Sequence, residues 1–252
     1  MPRFFVSKDA CTERQVRITG EDARHIARSL RMAVGDAVTV CDEGGNEYAC
    51  RLSRIRDEEV LCEITDCRAG AGEPPYRVTV YMAYPKGDKL ETVIQKAVEL
   101  GAFAIVPFVS ERCVKLPKAE KAEVKGRRLS RIAEEAAKQC GRCHIPTVGE
   151  PLTFDRMLRE AAAAELSLFC YEGETAHSLR ELLPKGEAPA TVAVVVGSEG
   201  GFSPREAEAA REAGLRTVHL GRRILRCETA PSYVLSALSY AYELSDGAPS
   251  VS

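Results

Sequence analysis

Hydrophobic positions follow two rhythms along the chain. Up to about residue 70 they come in short strand-like stretches. Val16-Arg17-Ile18 alternates, residues 37–41 and 60–64 are short runs rich in β-branched residues, and residues 48–55 alternate again. Period-2 alternation marks half-buried strands. Asp42-Glu43-Gly44-Gly45-Asn46 stands between two of these stretches and predicts a hairpin turn. Several short strands separated by turn signals predict a small barrel. One helical stretch interrupts them, over about residues 22–32, with Ala23, Ile26, Ala27 and Leu30 on its apolar face.

Past residue 75 the rhythm changes to strands alternating with helices. Strands are predicted at 77–84, 103–109, 166–171, 191–196 and 215–220. Asp88, with Glu91 three residues on, opens a helix that Gly101 stops. Residues 118–139 read as a long charged helix, and a last helix covers about 230–244. Alternating strands and helices predict a mostly parallel α/β sheet. Between the two regions lies Ala69-Gly70-Ala71-Gly72-Glu73-Pro74-Pro75, small and proline-rich with no apolar period. It divides the chain into expected domains 1–72 and 73–252.

The segment 191–231 carries the densest signals. Thr191-Val192-Ala193-Val194-Val195-Val196 is an unbroken apolar run, the mark of a strand buried on both faces. Gly197-Ser198-Glu199-Gly200-Gly201-Phe202 follows at once. A helix then starts with Ser203 as N-cap, Pro204 at its first position and Glu206 closing a capping box, and Gly214 ends it. A second strand leads into Gly221-Arg222-Arg223-Ile224-Leu225-Arg226-Cys227-Glu228-Thr229. Two consecutive strand–loop–helix units place two loops side by side at the carboxyl edge of a sheet, where open α/β folds bind ligands. Lys86, just past the first strand of this region, falls at the same edge.

The glycine-rich loop matches neither a Walker loop nor a dinucleotide fingerprint, because no Gly-Lys-Ser/Thr follows and the glycines stand at 197, 200 and 201. Glu199 inside it would repel a pyrophosphate. A phosphate-free ligand with a ribose and a cationic centre, such as S-adenosylmethionine, suits it better. A tight strand-to-helix turn that uses glycine for geometry alone is the competing reading.

Composition sets the outer bounds. The 252 residues are 45% hydrophobic and 29% charged, with a net charge of −2, so a globular core is available and the chain is no bulk polycation. Nucleic-acid binding would therefore rest on local patches. Arg24, Arg28 and Arg31 recur at i, i+4 and i+7 on the predicted helix of the first domain, with His25 beside them. Such a stripe is either a solvated face or a phosphate-binding one, and the nearby Arg3, Arg14 and Arg17 favour phosphate. No apolar run is long enough for a membrane span. The N-terminus is too short in apolar length for a signal peptide, so the ten cysteines are expected as reduced thiols in the cytoplasm. Cys140-Gly141-Arg142-Cys143-His144 has haem-attachment spacing, but that chemistry needs export. Zinc would need two more ligands, for which Cys170 and His177 are only loose candidates, and His144 and His219 read as structural. No metal is expected.

Several motifs in order resemble the SPOUT methyltransferases, and within them the branch that makes N3-methyluridine in 16S ribosomal RNA. They are Arg3-Phe4-Phe5, the stretch from His25 through Leu30-Arg31 to Gly35-Asp36, Lys86-Gly87-Asp88-Lys89, Glu99-Leu100-Gly101, Gln139 with Gly141-Arg142, residues 197–203 and residues 220–230. The likeness spans nearly the whole chain. One departure is Ser198, where the family usually has proline.

The resemblance implies an α/β fold with a trefoil-knotted, mostly parallel sheet and an N-terminal PUA-like β-barrel that binds RNA. It implies S-adenosylmethionine as cofactor, 16S rRNA in the small ribosomal subunit as partner, and a homodimer formed by the α/β domains. On this reading the cofactor loops are Gly197, Ser198, Glu199, Gly200 and Gly201, then Leu220, Gly221, Ile224, Leu225 and Arg226. RNA would be gripped by Arg3, Arg24, His25, Arg28, Arg31 and Lys86. The imide N3 of uridine is a poor nucleophile that loses its proton as it is methylated. A base or a group that stabilises the uridine anion therefore helps. Arg226 is the expected anion stabiliser. Glu228 and Glu199 are the candidate bases, and Glu228 alternatively orients Arg226. Two other classes stay open: a non-catalytic rRNA-binding assembly factor that keeps the pocket, and a nucleotide-dependent oxidoreductase, against which Glu199 and the missing fingerprint speak.

Overall fold

The structure is a computed structural model, and it describes residues 1–70, 72–113, 119–183 and 186–244. The chain forms two compact units, one of residues 1–73 with 137–145, the other of residues 74–136 with 146–252.

The first unit is built on strands β1 (Arg3–Val6), β2 (Gln15–Thr19), β3 (Ala37–Asp42), β4 (Asn46–Ile55) and β5 (Glu59–Ala69). They form one curled sheet in the order β1-β3-β4-β5-β2. β2 alternates buried and exposed residue by residue, as its sequence predicts. The 42–46 turn joins β3 to β4 antiparallel. Its Asp42 carboxylate accepts hydrogen bonds from the Gly44 and Asn46 amides at 2.8 and 2.9 Å. Phe4, Val16, Ile18, Val38, Val40, Leu52 and Val60 fill the concave core. β1 shows no alternation of its own, and it pairs parallel with β3.

The helix between β2 and β3 departs from expectation. α1 (Gly20–Arg24) stops after one turn and passes into a π turn over His25–Ser29, where the Leu30 amide donates to the His25 carbonyl at 2.9 Å. The wider turn shifts the phase of everything after it. Leu30, expected inside, is 40% exposed. Arg31 lies past the helix with φ +49°, the only non-glycine positive φ among the described residues. The three arginines therefore do not form a continuous i, i+4, i+7 stripe.

The second unit carries β6 (Arg77–Ala83), α2 (Lys89–Glu99), β7 (Ala104–Val109), most of α3 (Ala119–Cys140), β8 (Thr147–Val148), β9 (Leu152–Thr153), α4 (Phe154–Ala162), β10 (Leu166–Cys170), α5 (Leu179–Leu182), β11 (Thr191–Val196), α6 (Pro204–Glu212), β12 (Arg216–Val218) and α7 (Thr229–Tyr242). Every pairing in its sheet is parallel, in the order β12-β10-β11-β6-β7-β8 with β9 beside β7. β11 lies between β10 and β6, and all but its first residue are buried. That is the physical reason for its unbroken apolar run: both faces are covered. No helix among the described residues is long and apolar enough to cross a membrane.

Candidate active site

β11 ends at Val196 and the chain turns through Gly197–Gly201 before Phe202 re-enters the core. Phe202 is 3% exposed and lies 4.2 Å from Phe169 of β10, centroid to centroid. The loop is thus pinned at both ends by burial. α6 opens as its sequence predicts. The Glu206 amide donates to Ser203 Oγ at 3.2 Å, and the Ser203 amide donates to the Glu206 carboxylate at 2.9 Å. Gly201 takes φ +63°, which an L side chain adopts only with strain.

The segment after β7 braces the loop from outside. Arg112 Nη1 donates to the Gly200 carbonyl at 2.9 Å. Glu111 accepts from Ser203 Oγ at 2.7 Å, and its own amide donates to Glu206 at 2.8 Å. A Cβ added at Gly200 would lie 3.0 Å from Arg112 Cβ. A side chain at 200 would thus crowd Arg112, and Gly200 is not among the residues that line the cleft.

The cleft has a volume of about 470 Å³. Among the residues predicted for it, Gly197, Ser198, Glu199, Gly201, Leu220, Gly221, Ile224, Leu225, Arg226 and Glu228 line it together. Lys86 does not line it. Its side chain is exposed, and only its amide reaches the site, donating to Glu199 at 3.1 Å.

Sequence reasoning missed Lys89. Its ammonium stands 2.9 Å from Glu199 Oε1 and 3.7 Å from Glu228 Oε2, joining the two loops. The Lys86-Gly87-Asp88-Lys89 motif held the signal, but a lysine at a helix start reads as solvated. Tyr171 and Glu172, just past β10, also line the cleft. They sit at the carboxyl end of the strand next to β11, where the ligand rule for α/β sheets points.

The charges are segregated. Glu199 and Glu228 side chains are 28% and 21% exposed, whereas Arg226 is 83% exposed with its guanidinium 4.0 Å from Glu228. Arg222 and Arg223 are exposed on the same loop. Burial opposes ionisation of Glu199, but the Lys89 ammonium and the Lys86 amide outweigh it and hold the carboxyl below the usual range. The amide of Glu228 itself stabilises its carboxylate, against burial and with help from Cys227 and Lys89, and its pKa is lowered too. A carboxylate made less basic is poorly matched to take a proton near neutral pH. Burial pushes the neighbouring Cys227 thiol up to about 12. Both carboxylates are thus held ionised around the Lys89 ammonium in the cleft.

Comparison with known proteins shows the family. An RNA methyltransferase domain model matches residues 72–239, and an RNA methyltransferase PUA domain model matches residues 18–65. Ribosomal RNA small subunit methyltransferase E of Bacillus subtilis is 36% identical, over 98% of this chain and 99% of its own. The chain belongs to the ribosomal RNA small subunit methyltransferase E family. A methyltransferase of Legionella pneumophila, solved with its cofactor SAM bound, is 30% identical with a TM-score of 0.83, covering 95% of this chain and 97% of that one. A family member from Neisseria gonorrhoeae bound to S-adenosyl methionine is 29% identical with a TM-score of 0.79, covering 96% and 98%.

The family's expected RNA-binding residues are less uniform in place than the loops. Arg3 is not free for phosphate. Its Nη2 pairs with Glu47 at 2.8 Å and its Nη1 donates to Cys41 Sγ at 2.8 Å. Arg24 pairs with Glu58 at 3.5 Å and Arg28 with Asp57, all four exposed enough for water to screen them. His25 and Arg31 are exposed.

Proposed function

We propose that this chain transfers a methyl group from S-adenosylmethionine to N3 of a uridine in 16S rRNA of the small ribosomal subunit. The observation that carries the reading is the convergence of residues 197–199, Gly201 and residues 220–228 on one cleft in a chain of this family. The cleft fits the cofactor chemically. Glu172, Glu199 and Glu228 suit a cationic, phosphate-free ligand, and Leu220, Ile224 and Leu225 offer apolar surface for its adenosine. S-adenosylmethionine supplies an electrophilic methyl group on a sulfonium sulfur.

The residues then divide the work. Glu199, held ionised by Lys89 and the Lys86 amide, balances positive charge in the cleft. Arg226, on the exposed rim, stabilises the negative charge that develops on the uridine O2 and O4 as N3 gives up its proton. Glu228 orients Arg226 across their 4.0 Å separation, which suits its lowered pKa better than the role of base. Positioning of the uridine against the methyl carbon supplies much of the remaining acceleration.

We read residues 1–72 as the RNA-binding domain and residues 73–252 as the trefoil-knotted catalytic domain. Exposed Arg222, Arg223 and Arg226 border the cleft and suit rRNA phosphates near the target base. A homodimer is supported by α7, whose exposed Tyr233, Ser236 and Tyr240 share one face with Leu244 beyond its end. Cytoplasmic residence follows from the ribosomal substrate. The test is incubation of the purified chain with small subunits from a strain lacking this activity, then nucleoside mass spectrometry. N3-methyluridine at one 16S position is the expected product. Tight binding without any methylated nucleoside would replace the enzyme with an assembly factor.

A further inference from the structure

The Cys140-Gly141-Arg142-Cys143-His144 motif is not used by the methyl-transfer site, and the structure breaks it in two. Cys140 is exposed, while Cys143 is 3% exposed and faces β3 in the first unit. Its sulfur lies 3.2 Å from that of Cys41, which is fully buried. The partner of Cys143 is thus a cysteine far away in sequence and not the one three residues before it.

The surroundings hold this contact in place without help from the sulfurs. Glu73 accepts hydrogen bonds from the Cys143 and His144 amides, both at 3.0 Å, and pairs with the Arg142 guanidinium. A Cβ at Gly70 would come within 2.5 Å of Cys143 Sγ, so only glycine there leaves room for this thiol. Arg3 Nη1 approaches Cys41 Sγ at 2.8 Å and Cys143 Sγ at 3.4 Å. Glu47 lies 3.5 Å from Cys143 Sγ and is held by Arg3 and by Arg68, whose Nε donates to it at 2.9 Å. Cys41, Glu47 and Cys143 have the composition of a metal site, but the Arg3 guanidinium already occupies the place of the cation.

We propose that Cys41 and Cys143 are a redox modification site, joined by a small peroxide into a reversible disulfide that ties residues 137–145 to β3. An S–S bond is about 2.05 Å long, so the sulfurs need to close by little more than an ångström. The Cys143 thiol and the Arg3 guanidinium lower the Cys41 pKa against burial, while the same contact and burial raise that of Cys143. Arg3 Nη1 stands 2.8 Å from Cys41 Sγ against 3.4 Å from Cys143 Sγ, and Glu47 faces Cys143, so Cys41 is the attacking sulfur. Its thiolate attacks one peroxide oxygen, the O–O bond breaks, and the departing hydroxide takes a proton to become water. Cys41 is left as a sulfenic acid. Cys143 sulfur then attacks Cys41 sulfur, the S–S bond forms as the S–O bond breaks, and the hydroxyl leaves with the Cys143 proton as a second water. The two thiols lose two electrons and the peroxide gains them. Burial of both sulfurs restricts the oxidant to something as small as hydrogen peroxide.

The test is peptide mapping of the full chain after brief hydrogen peroxide treatment, with free thiols alkylated before digestion, beside an untreated sample and a Cys140→Ser variant. The expected result is one cross-linked species joining the Cys41 and Cys143 peptides, present in wild type and Cys140→Ser and abolished by dithiothreitol. The oxidised chain should also melt roughly 5–10 °C higher than the reduced one, because the bond closes a long loop. The proposal is overturned if Cys41 and Cys143 stay separately alkylated while exposed Cys67 or Cys140 oxidises. It is equally overturned if the cross-link joins Cys140 to Cys143, or if the reduced chain retains stoichiometric zinc that Cys143→Ser releases. Mapping of the native chain decides the matter even if that variant does not fold.

Discussion

Lys89 Nζ lies 2.9 Å from Glu199 Oε1, an ion pair between the first turn of α2 and the glycine loop after β11. It joins the motif following the first strand of the parallel sheet to the loop following its central strand. With Glu228 at 3.7 Å from the same ammonium, it places one cation between two carboxylates.

Replacing Lys89 with Gln should move the acid limit of cofactor binding. The Glu199 carboxyl is held below its ordinary value in the native chain, so the ionised site persists as pH falls through the ordinary glutamate range near 4.3. Without the ammonium, that range is where Glu199 starts to protonate. Calorimetric affinity for S-adenosylmethionine between pH 4 and 7 should therefore weaken at higher pH in Lys89→Gln than in wild type. Superimposable pH profiles would remove Lys89 from the site.

Arg226→Ala should leave S-adenosylmethionine affinity within a few-fold, because the guanidinium is 83% exposed at the rim. Methyl transfer should fall by about 100- to 1000-fold, the usual cost of one lost anion-stabilising donor. Single-turnover transfer to small subunits measures it. A rate within threefold of wild type would exclude Arg226 from the chemistry.

Gly200 should act through Arg112. Gly200→Val brings a side chain to 3.0 Å from Arg112 Cβ and pushes the loop that carries Glu199. Cofactor affinity should drop in Gly200→Ala and further in Gly200→Val. Arg112→Gly should recover part of the Gly200→Ala loss, giving a non-zero coupling in a double-mutant cycle. Additive effects would mean that the ligand itself fills that space.

The salt dependence of RNA binding should separate two arginine groups. Arg222, Arg223 and Arg226 are exposed beside the cleft, and among the described residues their one ion-pair approach is the long 4.0 Å from Arg226 to Glu228. Replacing all three with Gln should reduce the slope of log K against log salt by roughly 2 to 3, one phosphate for each. Arg24 and Arg28 already face Glu58 and Asp57, so the Arg24, Arg28 and Arg31 triple replacement should change the slope by only about 1. Titrations against small subunits, with melting temperatures as controls, measure both. The reverse order of the two slopes would return RNA binding to the helix of the first unit.

Glu174 should set part of the acid stability. The Thr217 hydroxyl, the Ala176 and Thr175 amides and Arg211 overcome burial and lower its carboxyl to about 2. A depressed pKa stabilises the fold above the unfolded value near 4.3, and that contribution is lost as pH falls from there toward 2. Glu174→Gln should cost on the order of 1–2 kcal/mol at pH 7 and flatten the decline below pH 4.5. Urea unfolding across that range tests it, and an equally steep decline in the variant would assign the acid limb to other carboxylates.

Burial period and local capping were legible in the amino-acid order alone. The apolar run at 191–196 could be satisfied only by a strand covered on both faces, and β11 has those bounds. Ser203, Pro204 and Glu206 act within one turn of α6, so their capping box was readable without any tertiary contact. The loop residues that line the cleft were legible because a strand, a glycine-rich turn and a capped helix are contiguous in sequence.

Other features emerge only in the folded chain, because they join residues distant in sequence. The placement of Lys89 against Glu199, the bracing of Gly200 by Arg112, and the contact of Cys143 with Cys41 each join separate segments, and periodicity carries no information about such pairs. The break in the basic stripe was hidden for a related reason. A helical wheel assumes 3.6 residues per turn, and the π turn after Arg24 changes that count and carries Arg31 off the face. Arg3 reads as one more cation in a basic N-terminus. Once the sheet curls, Glu47 and Cys41 surround it, and burial makes it a structural partner of carboxylate and thiol.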